Sequence, residues 1–207
     1  MIPELITQLT QRLSQPLPGK KAQDIMMVYP GYPSAVLEAY AQRVPAGVLI
    51  LLFPRNDGWH FFLTKRTDRV DHHKGQISLP GGVVQDGESL MEAALRETHE
   101  EIGVASTLVT VIGSLTSFNI PVSGFEIFPF ISWAVSEPMT VIHDAEVDRV
   151  FSVSLDSFLD DRNQKQKKET LLGEMRTIPY FDLGSEQVWG ATSIILSEFK
   201  TVLQDIL

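Results

Sequence analysis

The sequence contains no cysteine and comparatively few basic residues, and each shortage excludes a class of protein. Without cysteine there can be no disulfide, no thiolate zinc site and no cysteine nucleophile, so a bound metal must be held by oxygen or imidazole. The 17 basic residues are outnumbered by 26 acidic ones, which gives a net charge of −9. This balance argues against binding to a nucleic acid backbone, and an anionic substrate would need the help of a cation.

Long apolar runs are also missing. The longest, from Ala46 to Phe53, is too short to span a bilayer. The N-terminus lacks the basic start and the unbroken apolar stretch of a signal peptide. We therefore expect a cytoplasmic protein that does not bind a membrane. The remaining composition, 43% hydrophobic and 21% charged, is that of a packed globular domain.

The first 45 residues differ from the rest of the chain in their pattern of apolar, proline and glycine residues. Residues 1–15 have apolar side chains at helical spacing and predict an amphipathic helix. Residues 16–45 are rich in proline and glycine and predict loops around at most one short helix near 34–43. We expect residues 1–45 to form an extension that packs on a domain made by residues 46–207.

That domain has the pattern of a mixed α and β fold. A hairpin is predicted from two β-prone runs, 48–53 and 59–64, on either side of an Asn-Asp-Gly turn. The polar run 160–168 is interpreted as a solvated loop. Further strands and helices are predicted, with strands at 108–115, 127–135 and 147–153 and helices at 89–102 and 191–203.

The helix over residues 89–102 has an unusual acidic sector. Ser89 and Glu92 form a capping-box pattern at its start, and Gly103 stands where it would end. On a helical wheel one sector holds three carboxylates, those of Glu97, Glu100 and Glu101, beside an apolar face formed by Met91, Ala94, Leu95, Thr98 and Ile102.

Carboxylates at this spacing destabilise a helix unless a cation lies between them. Hard oxygen ligands suit Mg²⁺ or Mn²⁺, and Mg²⁺ in proteins is commonly bound together with phosphates. Three glutamates alone would more often form a solvated acidic face. The tight loop Leu79–Gly82 just upstream favours a functional site instead, because paired glycines allow the backbone to approach a ligand.

The same residues resemble the signature of a known family, the Nudix hydrolases. All seven fixed positions of the Nudix box, G-x5-E-x7-R-E-U-x-E-E-x-G-U, are matched, namely by Gly82, Glu88, Arg96, Glu97, Glu100, Glu101 and Gly103. Of the two aliphatic positions, the last holds Val104, whereas the inner one holds Thr98.

The resemblance implies a fold, a metal site and a reaction. The fold would be a mixed β-sheet sandwiched between helices, and the reaction would be hydrolysis of a phosphoanhydride bond. The metal ligands would be Glu97, Glu100 and Glu101, with the carbonyl of Gly82 as a further ligand. Arg96 would pair with Glu88 and support the catalytic residues. A homodimer is expected from the same resemblance.

Two residues are candidates for the base that takes the proton of the attacking water. One is Glu97 itself, and the other is Glu146, because many Nudix enzymes recruit an acidic residue from outside the box. For Glu146 an exposed loop acid without a catalytic role is the alternative.

Substrate choice is indicated by two segments upstream of the box, 63–66 and 74–82, which resemble the coenzyme A pyrophosphatase branch. They imply cleavage of coenzyme A or acyl-coenzyme A to 4′-phosphopantetheine and 3′,5′-ADP. The substrate-binding residues would be Arg66, Lys74, Gly81 and Gly82.

Departures from that pattern leave other substrates open. Asp71 stands where an arginine is expected and Leu79 replaces phenylalanine, which favours ADP-ribose, another nucleoside diphosphate derivative or a dinucleotide. A third alternative is a Nudix-like sensor that binds a nucleotide without cleaving it, although an intact set of glutamates speaks against this.

Overall fold

A computed structural model describes residues 2–31, 43–67, 75–120, 123–142 and 146–207. In chain order the elements of this part are α1 (Glu4–Leu13), α2 (Lys20–Gln23), β1 (Val44–Arg55), β2 (Gly58–Arg66), β3 (Ile77–Ser78), β4 (Gly81–Val83), α3 (Leu90–Ile102), β5 (Thr110–Ser114), β6 (Phe118–Asn119), β7 (Phe125–Trp133), β8 (Val147–Ser154), α4 (Leu155–Leu159), β9 (Gln164–Leu171), β10 (Glu174–Leu183), β11 (Glu186–Trp189) and α5 (Ala191–Gln204).

Strand β1 lies at the centre of an eight-stranded mixed sheet with the path β3-β2-β1-β7-β5. It pairs antiparallel with β2, as the predicted hairpin requires, and parallel with β7. Strand β4 pairs with the first part of β1, and β8 pairs with β2. The sheet therefore brings the loop before α3 onto its central strand.

The two faces of this sheet are covered by different helices. Side chains alternate along β1, so that Leu49, Leu51 and Phe53 pack with α3. Ile50 and Leu52 belong to the larger core on the opposite face, which also contains residues of α1, α5 and β10. The predicted fold, a mixed sheet between helices, is confirmed.

A second, antiparallel sheet has the strand order β11-β10-β9. Its strand β9 contains most of the polar run that we interpreted as a solvated loop, and that interpretation is wrong. The run is exposed, but residues 164–171 pair in register with β10 and residues 161–163 form a 3-10 turn. Backbone hydrogen bonds to a neighbouring strand can hold a polar sequence that buries little, and periodicity alone does not predict this.

The predicted N-terminal helix is confirmed as α1, whose Ile6 and Leu9 are buried in the larger core. The next segment differs from the predicted loops, because α2 and a 3-10 turn at Asp24–Met26 follow Gly19. Burial of Met26 stabilises this short helical stretch. The helix predicted near 34–43 lies largely outside the described residues, and the division of the chain at residue 45 stays a prediction.

No helix in the part of the chain that the structure describes is long and apolar enough to cross a membrane.

Candidate metal centre

Two glycines of β4 let the backbone pass closely between β1 and α3. Gly81 has φ +150°, and a Cβ there would overlap the carbonyl of Gly47 on the paired strand. At Gly82 a Cβ would overlap the carboxylate of Glu97. The absence of side chains at both positions therefore allows the Glu97 carboxylate to lie directly against the strand.

Helix α3 has the ends that the sequence predicts. Ser89 accepts a hydrogen bond from the Glu92 amide, Glu92 accepts one from the Ser89 amide, and Gly103 ends the helix in the left-handed conformation. These caps satisfy backbone groups that the helix ends leave unpaired. The start of the helix, and with it the position of each glutamate, is thereby defined.

The buried face of α3 is rotated towards the glutamates relative to the predicted one. Met91, predicted on the apolar face, is 40% exposed, whereas Ala93 and Glu101 are buried. A Cβ added at Gly47 would overlap the Leu90 carbonyl, which shows how closely the helix approaches β1. The small residues Gly47 and Ala94 lie at this crossing.

Glu101 therefore faces the loop rather than solvent. It is 5% exposed, and its Oε2 accepts a hydrogen bond of 3.3 Å from the Gly81 amide. A buried carboxylate requires hydrogen bonds or a nearby cation, since burial penalises the charged form. This position suits a carboxylate that shares a bound cation with the loop.

Arg96 brings the other two predicted ligands together. Its Nη1 donates to Glu97 at 2.7 Å and to Glu100 at 3.0 Å. Its Nε and Nη2 donate to both oxygens of Glu88, at 3.0 and 2.7 Å, which confirms the predicted pairing. Nη2 also donates to the carbonyl of Val83 at 3.1 Å. Arg96 thus joins helix α3 to the loop that precedes it.

These ion pairs shift the pKa values of the pair that braces the loop. Hydrogen bonding from Arg96, with a further bond from the Gln85 amide, holds the pKa of Glu88 below its usual range. Hydrogen bonding to Glu88 raises the pKa of Arg96 above its ordinary value, with Glu97 adding to the effect. Both groups are charged at neutral pH.

The carboxylates predicted to bind metal are of the chemical type that a hard divalent cation prefers. Glu97, Glu100 and Glu101 supply carboxylate oxygens, and the missing Cβ of Gly82 leaves its backbone close to Glu97. As placed, the side chains of the described residues contain no group of three or more acidic, histidine or cysteine ligands that could hold a metal. The guanidinium of Arg96 lies between Glu97 and Glu100 and pairs with both.

Three of the predicted site residues, Arg66, Lys74 and Glu146, lie outside the Nudix box. Arg66 and Glu146 lie together, with Arg66 Nη2 donating to Glu146 Oε2 at 2.6 Å. Lys74 lies outside the described residues. Gly47 was missed by the sequence reasoning, since only the pairing of β1 with β4 and the crossing of α3 reveal why it must lack a side chain.

Similarity to known proteins identifies the family of this chain. Residues 43–172 match the family model of the NUDIX domain. The chain therefore belongs to the Nudix family.

Two plant relatives illustrate the extent of the similarity. Nudix hydrolase 15, mitochondrial, from Arabidopsis thaliana is 35% identical over 170 residues, which cover 76% of this chain and 58% of that protein. Nudix hydrolase 22, chloroplastic, from the same plant is 33% identical over 171 residues, covering 76% of this chain and 55% of that protein. The chain thus spans little more than half the length of these relatives.

Among solved structures, a Nudix hydrolase from M. smegmatis, RenU, has a TM-score of 0.55 at 20% identity. The match covers 80% of this chain and 89% of that one. At this identity the likeness shows the fold alone.

Proposed function

We propose that this chain hydrolyses the pyrophosphate bond of a nucleoside diphosphate derivative with the help of Mg²⁺ or Mn²⁺. The observation that carries the proposal is the contact between Glu97 and the side-chain-free backbone of Gly82, with Glu101 on the adjacent amide of Gly81. Its matched relatives bear the name Nudix hydrolase, which supports the same reaction class. Glu97, Glu100, Glu101 and the Gly82 carbonyl would hold the cation.

The reaction asks little of the protein beyond charge and orientation. The leaving group of a pyrophosphate is a phosphate, which needs little protonation. A bound divalent cation neutralises phosphate charge and acidifies water. Arg96 and Glu88 hold the loop and helix at a fixed separation, so that the carboxylates keep their positions. Glu97 and Glu146 remain the two candidates for the base that accepts the water proton.

Coenzyme A or acyl-coenzyme A is the substrate that we propose, with 4′-phosphopantetheine and 3′,5′-ADP as products. The two segments that resemble the coenzyme A branch lie side by side, since Thr64 pairs with Ser78 and the Arg66 amide donates to the Gln76 carbonyl. Leu79 is 4% exposed and fills a core position. Its replacement of phenylalanine is therefore a packing change and does not count against coenzyme A.

A substrate panel tests the proposal. Purified protein with Mg²⁺ or Mn²⁺ is incubated with coenzyme A, acyl-coenzyme A, ADP-ribose, NADH and dinucleoside polyphosphates, and the products are separated and quantified. We expect coenzyme A or its acyl derivative to have the highest kcat/KM. Faster turnover of ADP-ribose would overturn the substrate assignment and favour the alternative based on Asp71. Binding without turnover of any compound would indicate a sensor.

The cytoplasmic location stays a prediction. The Arabidopsis relatives are named mitochondrial and chloroplastic, so localisation of the tagged protein in its own cells is the measurement that decides it.

A further inference from the structure

Arg66 and Glu146 are held together where β2 and β8 meet. The register of these strands shifts between Lys65 and Arg66, which places Arg66 opposite Val147, the residue after Glu146. The Thr67 amide also donates to the Glu146 carbonyl at 2.8 Å. The backbone therefore positions the predicted substrate-binding arginine beside one of the two candidate bases.

Of the two adjacent donors on one edge of the Arg66 guanidinium, Nε and Nη2, one makes a hydrogen bond and the other does not. An arginine presents Nε–H and Nη2–H side by side, and this edge matches the two oxygens of one carboxylate or phosphate. In three other arginines of the described residues a single carboxylate accepts from both nitrogens, in the pairs Arg55–Glu137, Arg96–Glu88 and Arg162–Asp160. Arg66 donates to Glu146 through Nη2, whereas its Nε is buried and has no hydrogen-bond partner.

A phosphate could accept hydrogen bonds from both Nε and Nη2 of Arg66, whereas Glu146 accepts from Nη2 but not from Nε. The side chains of Arg66 and Glu146 are 27% and 53% exposed, and an ion pair at such a site is weak. A phosphate carries more charge than a carboxylate and can accept from both nitrogens of the edge. Because Nε is shielded from solvent in the present position, the side chain must turn to offer that edge, and turning breaks the bond to Glu146.

We propose that Arg66 is exchanged between Glu146 and a phosphate of the substrate, so that substrate binding releases Glu146 to act as the base. This inference rests on the proposed function. The water oxygen then bonds to phosphorus and its proton passes to Glu146. The bridging P–O bond breaks, and its electron pair leaves with the departing phosphate.

Two variants test the exchange because they shift KM in opposite directions. Glu146→Gln removes the competitor for Arg66, so KM should fall roughly two- to fivefold, the factor that corresponds to an exposed ion pair. Its kcat should fall roughly 100-fold through loss of the base. Arg66→Ala should raise KM roughly tenfold or more while kcat changes less than about threefold. Arg66→Lys keeps the charge without the paired donors and should have an intermediate KM.

A binding measurement gives a readout that is independent of turnover. In calorimetric titration with 3′,5′-ADP, Glu146→Gln should bind more tightly than the unaltered protein, and Arg66→Ala more weakly. Arg55→Ala and Glu137→Gln are matched controls, because they break an ion pair in which Nε and Nη2 of the arginine both donate to the carboxylate. These two should leave kcat, KM and binding unchanged.

The outcomes separate this inference from the proposed function. Failure of the unaltered protein to cleave any member of the panel would refute the proposed function. Normal cleavage combined with KM shifts in the same direction for Arg66→Ala and Glu146→Gln would refute the exchange and indicate a fixed structural pair. An unchanged kcat in Glu146→Gln would equally overturn it, since the base would then lie elsewhere.

Discussion

At the scale of single residues, Glu97 and Glu101 each make a contact that an amide could keep. Glu97 accepts from Arg96, and Glu101 accepts from the Gly81 amide. We therefore expect Glu97→Gln and Glu101→Gln to preserve the fold but lose roughly 100-fold or more in kcat, because the charge that holds the cation is gone. Initial rates over a Mg²⁺ titration, together with thermal unfolding curves, measure both effects.

Glu92→Gln is the matched control on the same helix. A glutamine at this position can still accept from the Ser89 amide and complete the capping box, so activity and stability should both be retained. Near-normal turnover in both Glu97→Gln and Glu101→Gln would show that the metal assignment is wrong.

The brace between Glu88 and Arg96 predicts a pH dependence of stability. Because the pKa of Glu88 is lowered in the folded state, its contribution is fully present above its unfolded pKa of about 4.3 and is lost as pH falls through the lower folded value. Glu88→Gln should therefore be less stable than the unaltered protein at neutral pH, and the difference should shrink on acidification below about pH 4.

Urea unfolding of both proteins at a series of pH values measures this difference. The other carboxylates with lowered pKa values, Asp57, Glu92, Glu137 and Asp160, are present in both proteins, so their effects largely cancel in the comparison. A stability difference that does not change with pH would show that the brace acts through packing rather than charge.

At the scale of helices and strands, the position of α3 depends on Gly47. A Cβ at this position would overlap the Leu90 carbonyl and contact Ala94, so the helix would have to move away from β1. We expect Gly47→Ala to cost about 1–3 kcal/mol of stability and to weaken activation by Mg²⁺, because Glu97 and Glu101 move with the helix. Denaturant unfolding and a Mg²⁺ titration of the rate measure the two effects.

Gly31→Ala is a suitable control for this substitution, since nothing lies within 4 Å of an added Cβ there and its φ is ordinary. It should leave both stability and the Mg²⁺ requirement unchanged. A Gly47→Ala protein with an unaltered Mg²⁺ response would show that the ligands do not depend on the approach of α3 to β1.

The contrast between Glu92 and Gly47 explains which parts of the site the sequence could predict. Helix caps and the spacing of the glutamates are local, so they can be read from neighbouring residues. The close approach at Gly47 depends on strand pairing and helix crossing between distant segments, and no local pattern contains that information. Strand β9 escapes prediction for the same reason, because its pairing with β10 is non-local and its residues bury too little to give an apolar periodicity.

The two ion pairs at the site also differ in whether a local pattern predicts them. Arg96 and Glu88 are eight residues apart within one signature and were predicted to pair, whereas Arg66 and Glu146 were assigned separate roles. Their proximity follows from the pairing of β2 with β8, which the sequence did not indicate.

At the scale of the whole molecule, a buried carboxylate joins the N-terminal segment to the rest of the protein. Glu198 of α5 is fully buried, and accepts hydrogen bonds from the Gly19 amide, the Gln23 side chain and both donors of Thr116. These partners come from the N-terminal segment and from the chain after β5. Residues 19–23 are thereby held against α5, on the sheet face opposite α3.

Glu198→Ala should therefore destabilise the whole chain while sparing the chemistry. Several buried donors would lose their acceptor, which we expect to cost about 3 kcal/mol or more in the free energy of unfolding. At a temperature where the variant is folded, kcat should stay within about threefold, since Glu198 belongs to α5, which packs on the sheet face opposite α3. Asp205→Ala is the matched control, because it removes a half-exposed ion pair between Arg12 and the end of α5 and should cost less than about 1 kcal/mol. Urea unfolding followed by fluorescence measures both, and equal effects of the two substitutions would contradict the role assigned to the buried carboxylate.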